Sequence, residues 1–239
     1  MNNLPKEGRV HSIQTLGTLD GPGVRFVIFM QGCNLRCGCC HNPDTWSFDG
    51  GKIFTAEDLL KRIMNYSTYF GKDGGVTVSG GEPLLQSKFV KELFSLCHSK
   101  GINTCLDTSG SVLNDEVREL LSVTDRVLLD IKYSTEQLYK KYVGCSVNAP
   151  LEFLEYLNEN RISTTVRQVI IPSLNDNVEN ILYLNSLSER FSCIDKIELL
   201  PFKKICKVKY DNMGLSFDFD RYDTPSKDLM NSLNKMLKH

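Results

Sequence analysis

Cys33, Cys37, Cys39 and Cys40 gather four of the chain's nine cysteines into the short stretch Cys33-Asn34-Leu35-Arg36-Cys37-Gly38-Cys39-Cys40-His41. Thiolates are soft donors, and Cys33, Cys37 and Cys40, at C-x3-C-x2-C spacing, can surround one metal centre. Zinc and an iron-sulfur cluster both accept such a set. A structural zinc site asks for a fourth ligand, for which His41 is the nearest candidate. His41 follows Cys40 directly, so the short link makes closing the same tetrahedron awkward, and no second cysteine pair occurs downstream. The spacing favours a cluster of four irons held by three thiolates, with one iron left open for chemistry. Cys39 offers an alternative C-x3-C-x-C reading. Cys40 is the better ligand by spacing, and Cys39 is expected to pack beside the cluster or its ligand. The remaining cysteines, Cys97, Cys105, Cys145, Cys193 and Cys206, are scattered, mostly among apolar or helix-like neighbours, as small buried thiols are.

The elements that must position these thiols alternate along the chain. Asp20-Gly21-Pro22-Gly23 reads as a turn, and Val24 to Met30 as a nearly continuous apolar strand whose exit loop carries the cysteines. Further strands are expected at 75–79, 103–107, 126–132, 164–171 and 196–200. Helical periods fall at 56–65, capped by Thr55, and at 86–99, 115–122, 136–142, 151–159, 178–190 and 227–237. Strands each followed by helical material imply right-handed crossovers and a parallel sheet with helices outside it. The expected class is α/β, an open sheet or barrel of six strands, in a single domain over 1–239, since no repeat, low-complexity segment or linker interrupts it.

Polar residues recur where these strands end, the edge at which α/β barrels place their active sites. Gly80-Gly81-Glu82-Pro83 could be a plain turn, or could bring backbone groups close to a small molecule with carbonyls free to accept from an ammonium. Asp130 and Lys132, two positions apart on an expected strand, share a face and suit either an internal ion pair or a zwitterionic ligand. Asp107 and Thr108 could cap a turn or hold an ion. Arg167 lies within the fifth expected strand, and Lys203 beyond the sixth. Lys196, Lys203, Lys204, Lys207 and Lys209 form a basic run, read first as a solvated loop and alternatively as a dock for an acidic electron donor.

Bulk properties narrow the class. A net charge of −1 gives no electrostatic reason to expect nucleic acid. The 41% apolar share is enough for a sizeable core, and neither the start of the chain nor any later run has the apolar length of a signal peptide or membrane span. A cytoplasmic protein with no membrane partner is expected. In that reducing setting, clustered cysteines are metal or redox groups rather than disulfides.

Cys33-x3-Cys37-x2-Cys40 followed by Gly80-Gly81-Glu82-Pro83 resembles the radical S-adenosylmethionine (radical SAM) superfamily. The fuller text resembles its pyruvate formate-lyase activating enzymes over nearly the whole length. The resemblance is carried by Asp20-Gly21-Pro22-Gly23, Phe29-Met30-Gln31-Gly32-Cys33, Cys40-His41-Asn42-Pro43-Asp44-Thr45-Trp46, Val76 to Gln86, Leu106-Asp107-Thr108-Ser109-Gly110, Leu129-Asp130-Ile131-Lys132 and Ile197-Glu198-Leu199-Leu200-Pro201. It implies a partial (β/α)6 barrel and a 4Fe-4S cluster on Cys33, Cys37 and Cys40. It also implies S-adenosylmethionine bound by Cys39, Cys40, His41, Gly80, Gly81, Glu82, Asp130, Ile131, Lys132, Arg167 and Lys203. Asp107, Thr108 and Asp130 resemble a monovalent-cation site.

The activity implied is reductive cleavage of S-adenosylmethionine to methionine and a 5′-deoxyadenosyl radical, which takes a hydrogen from one glycine of pyruvate formate-lyase or a related glycyl radical enzyme. An electron donor such as flavodoxin or ferredoxin and a monomeric state are expected, with no catalytic residue beyond the cluster and cofactor site. Two positions depart from the family pattern. Cys39 stands where an aromatic residue is usual, and Lys203 where a histidine is frequent. An extra ferredoxin-like insert found in several other activases is absent, which favours pyruvate formate-lyase as partner. The alternatives are an activase of a different glycyl radical enzyme and, from another class, a zinc-stabilised binding module.

Overall fold

The computed structural model describes residues 7–238. The polar reading of the first six residues lies outside them. The chain divides into two units, Met1–Asn34 with Thr45–Leu128, and Leu35–Asp44 with Leu129–His239.

In the first unit, strands β1 (Glu7–Gly17), β2 (Arg25–Met30), β3 (Lys52–Thr55), β4 (Gly75–Gly80) and β5 (Asn103–Thr108) accompany helices α1 (Ala56–Met64), α2 (Ser87–His98) and α3 (Asp115–Leu121). β2, β4 and β5 pair in parallel, with Met30 opposite Gly80 and Val78 opposite Leu106. Their apolar side chains are buried on both faces, as strands covered by helices on each side require. Thr55 caps α1, its Oγ1 accepting from the Asp58 amide at 3.1 Å, and Asn114 caps α3 in the same way at 2.9 Å.

The first unit also holds two strands that the pattern did not announce. β1 runs antiparallel to both β2 and β3. Its apolar residues Val10, Ile13 and Leu16 are spaced by three because register shifts interrupt the pairing between Val10 and Ser12 and between Gln14 and Gly17, which erases the alternation a strand otherwise shows. At the start of β2 the guanidinium of Arg25, fully buried, donates to Thr77 Oγ1 (3.0 Å), Asn103 Oδ1 (2.8 Å) and the Val76 carbonyl (2.5 Å). Thr77 Oγ1 in turn donates to the Asp20 carbonyl at 2.6 Å, anchoring the Asp20–Gly23 turn.

Strand β6 (Arg126–Asp130) begins in the first unit and ends in the second, which continues through α4 (Glu136–Tyr142), α5 (Asn148–Glu159), β7 (Ser163–Ile170), α6 (Val178–Arg190), β8 (Ile194–Pro201), α7 (Lys207–Asn212) and α8 (Lys227–Met236). β7 and β8 are parallel, Arg167 lying opposite Glu198. β6 stops at Asp130 rather than Lys132. The Ile131 amide still reaches the Arg167 carbonyl (2.9 Å), but the Lys132 amide donates to Tyr139 Oη (2.9 Å) on α4. Of the basic run read as a solvated loop, Lys207 and Lys209 lie on the short helix α7 instead. Strand order along the sheet is β3-β1-β2-β4-β5-β6-β7-β8, so the six expected strands are present in an open, mostly parallel α/β sheet extended by the antiparallel pair β1 and β3.

Candidate active site

In the first unit, the loop leaving β2 and the turn leaving β4 are joined through backbone bonds. Gly81 and Glu82 donate to the carbonyls of Met30 and Gly32, each at 2.9 Å, while Gly32 and Cys33 donate to those of Thr45 (2.8 Å) and Trp46 (3.4 Å). The side-chain amide of Gln86 adds bonds to the carbonyls of Gln31 (2.9 Å) and Arg9 (3.0 Å). Both glycines of the turn answer to the neighbouring strand. Gly80 has φ +112°, and a Cβ on it would lie 2.2 Å from the Met30 nitrogen, while one on Gly81 would lie 2.2 Å from the Gly32 carbonyl oxygen. The missing side chains thus let two protein backbones meet.

Glu82 is 1% exposed. Its Oε1 accepts from Thr108 Oγ1 (2.6 Å) and the Leu84 amide (3.2 Å), and its Oε2 from the Ser109 amide (3.0 Å) and Ser109 Oγ (2.5 Å). Burial pushes its pKa up despite those donors. The carboxylate therefore ties the turn after β4 to the end of β5. The Thr108 hydroxyl, which donates to Glu82, also accepts from the Gly110 amide at 3.1 Å. Asp107 accepts from Ser79 Oγ at 2.7 Å.

In the second unit, Cys37 and Cys40 close a tight turn, the Cys40 amide donating to the Cys37 carbonyl at 3.0 Å. Gly38 donates to the Tyr142 carbonyl (2.8 Å) and Arg36 to that of Val143 (3.2 Å), seating the turn on the end of α4. From α7, Tyr210 Oη donates to the Cys40 carbonyl (3.2 Å) and Lys209 Nζ to Asn42 Oδ1 (2.9 Å) and Asp44 Oδ1 (3.0 Å). His41 Nε2 lies 3.0 Å from the Lys203 carbonyl oxygen, which assigns the proton to Nε2 and leaves Nδ1 as the acceptor. Burial lowers the pKa of His41 against that hydrogen bond, so the ring is neutral near pH 7. Burial pushes the Cys39 thiol up to about 11.

Asp130, Lys132 and Arg167 meet in this unit, with Lys132 Nζ 2.5 Å and Arg167 Nε 3.2 Å from the Asp130 carboxylate. Burial opposes the charge on Asp130, but Lys132 and Arg167 outweigh it and hold its pKa below the ordinary carboxylate range. Burial likewise opposes the ammonium of Lys132, yet Asp130 and the thiols of Cys37 and Cys39 hold its pKa well above the usual lysine value. Two cations thus meet at one carboxylate, with Arg167 and Lys132 both held by Asp130. Ile131 is fully buried beside them.

The sequence-predicted residues therefore form two groups: Cys33, Gly80, Gly81, Glu82, Asp107 and Thr108 belong to the first unit, and Cys37, Cys39, Cys40, His41, Asp130, Ile131, Lys132, Arg167 and Lys203 to the second. The expected three-thiolate set and the expected cation set are each divided between them. Four of the five lysines of the basic run carry ion pairs, and Lys203 is exposed. Lys209 is bound to Asp44, Lys204 and Lys207 to Asp220, and Lys196 to Glu198. Sequence reasoning missed Ser109, Tyr210 and Phe219. Only the adjacency of Ser109 to Asp107-Thr108 offered a signal, because Tyr210 reaches Cys40 from 170 positions away and Phe219 reaches Gly38 from still further along the chain.

A radical SAM superfamily model matches residues 27–183, which makes this a radical SAM enzyme. The pyruvate formate-lyase 1-activating enzyme of Escherichia coli (strain K12) is 40% identical over 234 residues, 97% of this chain and 95% of that protein. The pyruvate formate-lyase-activating enzyme of Clostridium pasteurianum is 41% identical over 232 residues, 97% of each chain. A domain of pyruvate-formate lyase-activating enzyme from Bacteroides vulgatus ATCC 8482 shares the fold, with TM-score 0.57 at 22% identity over 69% of this chain and 92% of that one. The chain belongs to the pyruvate formate-lyase-activating enzymes of the radical SAM superfamily.

Membership implies a 4Fe-4S cluster and S-adenosylmethionine. The donor chemistry fits: Cys33, Cys37 and Cys40 are half-buried thiols outside any disulfide, on one short loop held by backbone bonds. Among the described residues, no helix is long and apolar enough to cross a membrane.

Proposed function

We propose that this enzyme activates pyruvate formate-lyase by generating a glycyl radical on it, with Cys33, Cys37 and Cys40 holding the cluster. When bound, the cluster supplies one electron that parts carbon from sulfur in S-adenosylmethionine, yielding methionine and the 5′-deoxyadenosyl radical that takes the glycine hydrogen. The observation that carries this reading is the three-cysteine loop at the end of β2 in a chain about 40% identical throughout to named activating enzymes.

The chain's own groups have separable tasks. Lys132 and Arg167, oriented by Asp130, are the cationic donors that would receive the carboxylate of the methionine moiety. Neutral His41 offers Nδ1 as an acceptor toward the cofactor. Gly80, Gly81 and Glu82 act on cofactor geometry through backbone shape, since Glu82 spends both oxygens on Thr108, Ser109 and Leu84. A monovalent cation would draw on the carboxylates of Asp107 and Asp130 and on the carbonyl of Thr108, whose hydroxyl is engaged.

A single domain is the better reading of the two units, because the boundary falls within β6 and the cysteine loop and the family match runs through both. A cytoplasmic monomer served by flavodoxin or ferredoxin completes the proposal. The test is anaerobic reconstitution with iron and sulfide, then reductant, S-adenosylmethionine and pyruvate formate-lyase from the same source. A glycyl signal by electron paramagnetic resonance is expected. Cleavage of S-adenosylmethionine without that signal would transfer the enzyme to another glycyl radical partner, and zinc without iron in the anaerobically purified protein would end the radical reading.

A further inference from the structure

A continuous stack of aromatic rings leads from the cysteine loop to the surface of the second unit. Phe219, 2% exposed, lies against the backbone between Cys37 and Cys39, so closely that a Cβ on Gly38 would fall 1.9 Å from its ring. Phe219 meets Tyr142 edge-on at 5.3 Å between centroids and Tyr222 at 5.1 Å. Tyr142 and Tyr222, both half-buried, bring their hydroxyls within 3.1 Å of each other. Tyr142 is also joined to the loop through its own carbonyl, which accepts from the Gly38 amide at 2.8 Å. One buried ring and one backbone bond therefore separate this tyrosine pair from the peptide that links two of the clustered cysteines.

The rings are bordered by cations. Lys141 Nζ sits 4.9 Å from the centre of the Tyr142 ring and Arg221 5.0 Å from that of Tyr222. Both residues are exposed, and among the described residues neither forms an ion pair with a carboxylate. Nearby acids are mostly engaged: Glu136 accepts from Ser146 and Lys140, and Asp220 from Lys204 and Lys207. Asp223, next to Tyr222 in the chain, is the opposing charge. By contrast, the lysines of the run from 196 to 209 that carry ion pairs have spent their charge on Asp44, Asp220 and Glu198.

We propose that the Tyr142–Tyr222 face, with Lys141 and Arg221 around it, is the docking surface for an acidic one-electron donor protein. The charge selects an acidic partner and speeds its encounter, and the rings give a closely packed route to the loop for an electron, which requires no atom to cross. One electron leaves the donor's reduced cofactor and one is gained by the group the cysteine loop holds; no bond forms or breaks. The inference rests on the reading that the loop holds a cluster, which is checked separately in the same samples.

The experiment compares reconstituted wild-type enzyme with the Lys141→Glu/Arg221→Glu variant, using reduced flavodoxin as the probe donor and dithionite as a small-molecule control. Cluster reduction is followed by loss of visible absorbance, and flavodoxin affinity by calorimetry at low salt. The variant should bind flavodoxin more weakly and be reduced by it about 10-fold more slowly or worse, with a shallower dependence on ionic strength. Dithionite reduction and dithionite-driven S-adenosylmethionine cleavage should match wild type. The neutral Lys141→Gln/Arg221→Gln variant should fall between. Unchanged binding and reduction by flavodoxin, or a parallel loss with dithionite, would overturn the assignment. Failure of wild type to hold iron or cleave S-adenosylmethionine with dithionite would strike the cluster reading instead.

Discussion

Replacing Glu82 by Gln separates two roles that the same residue could have. The carboxylate receives four donors, Thr108 Oγ1 and the Leu84 amide on one oxygen and the Ser109 amide and Oγ on the other, at 2.5–3.2 Å. Glutamine keeps the shape but replaces one oxygen with an NH2 group. Whichever way the amide turns, it faces one backbone N–H that cannot reverse its polarity and one hydroxyl that must rotate. A buried donor left unpaired costs about 1–3 kcal/mol, and bonds to a charged acceptor contribute about 1.5–3 kcal/mol each. Against this stands relief from burying the charge, which the raised pKa of Glu82 records. The net loss should be about 2–3 kcal/mol, lowering Tm by about 4–12 °C for a chain of this size. Melting of the metal-free protein reads this directly. A Glu82→Gln protein that melts with wild type but binds S-adenosylmethionine poorly would refute the structural account and return Glu82 to direct cofactor contact.

Cys40→Ala should abolish iron retention after reconstitution, whereas Cys39→Tyr should retain it; iron and sulfide analysis of both variants checks the ligand assignment. Gly38→Ala should lose about 1–3 kcal/mol of stability through the clash with Phe219, and adding Phe219→Leu should recover part of it, a coupling that a double-mutant cycle of melting curves measures. Glu136 is held below the ordinary carboxylate range by the Val147 amide, Lys140 and Ser146. Its stabilising contribution is therefore present above the unfolded value of about 4.3 and lost as pH falls through the lower folded value. Glu136→Gln should melt below wild type at pH 7 and converge with it near pH 3; equal curves at pH 7 would refute the sign.

Much of the frame was legible because its signals are local. Parallel strands buried on both faces show as short apolar runs, and Thr55 and Asn114 sit where helix caps belong, so β2, β4 to β8 and most helices could be read from windows of a few residues. β1 escaped because its bulges convert alternation into a spacing of three, and β3 because four residues with an exposed edge carry no periodicity. The end of β6 was misplaced by two residues because what ends it, Tyr139 Oη capturing the Lys132 amide, is a contact made from α4.

The site follows the same division. Spacing alone picked out Cys33, Cys37 and Cys40 as candidate ligands, because donors from one loop must be close in sequence. It also placed Asp130 and Lys132 together, and their contact survives although Lys132 has left the strand. What spacing could not supply was the partner of each charge. The lysines from 196 to 209 look like one cationic surface in sequence, yet Asp44 lies 165 positions from Lys209 and Asp220 lies 13 from Lys207; the Lys209 bond braces the segment after the cysteines, and Lys203 alone of the run forms no ion pair among the described residues. Lys141 and Arg221, unremarkable in sequence and 80 positions apart, form no ion pair with a carboxylate among the described residues, and the Tyr142 and Tyr222 rings they border meet Phe219 against Gly38. Which cations of this enzyme are already paired is thus decided by long-range contacts, which charge density along the chain does not reveal.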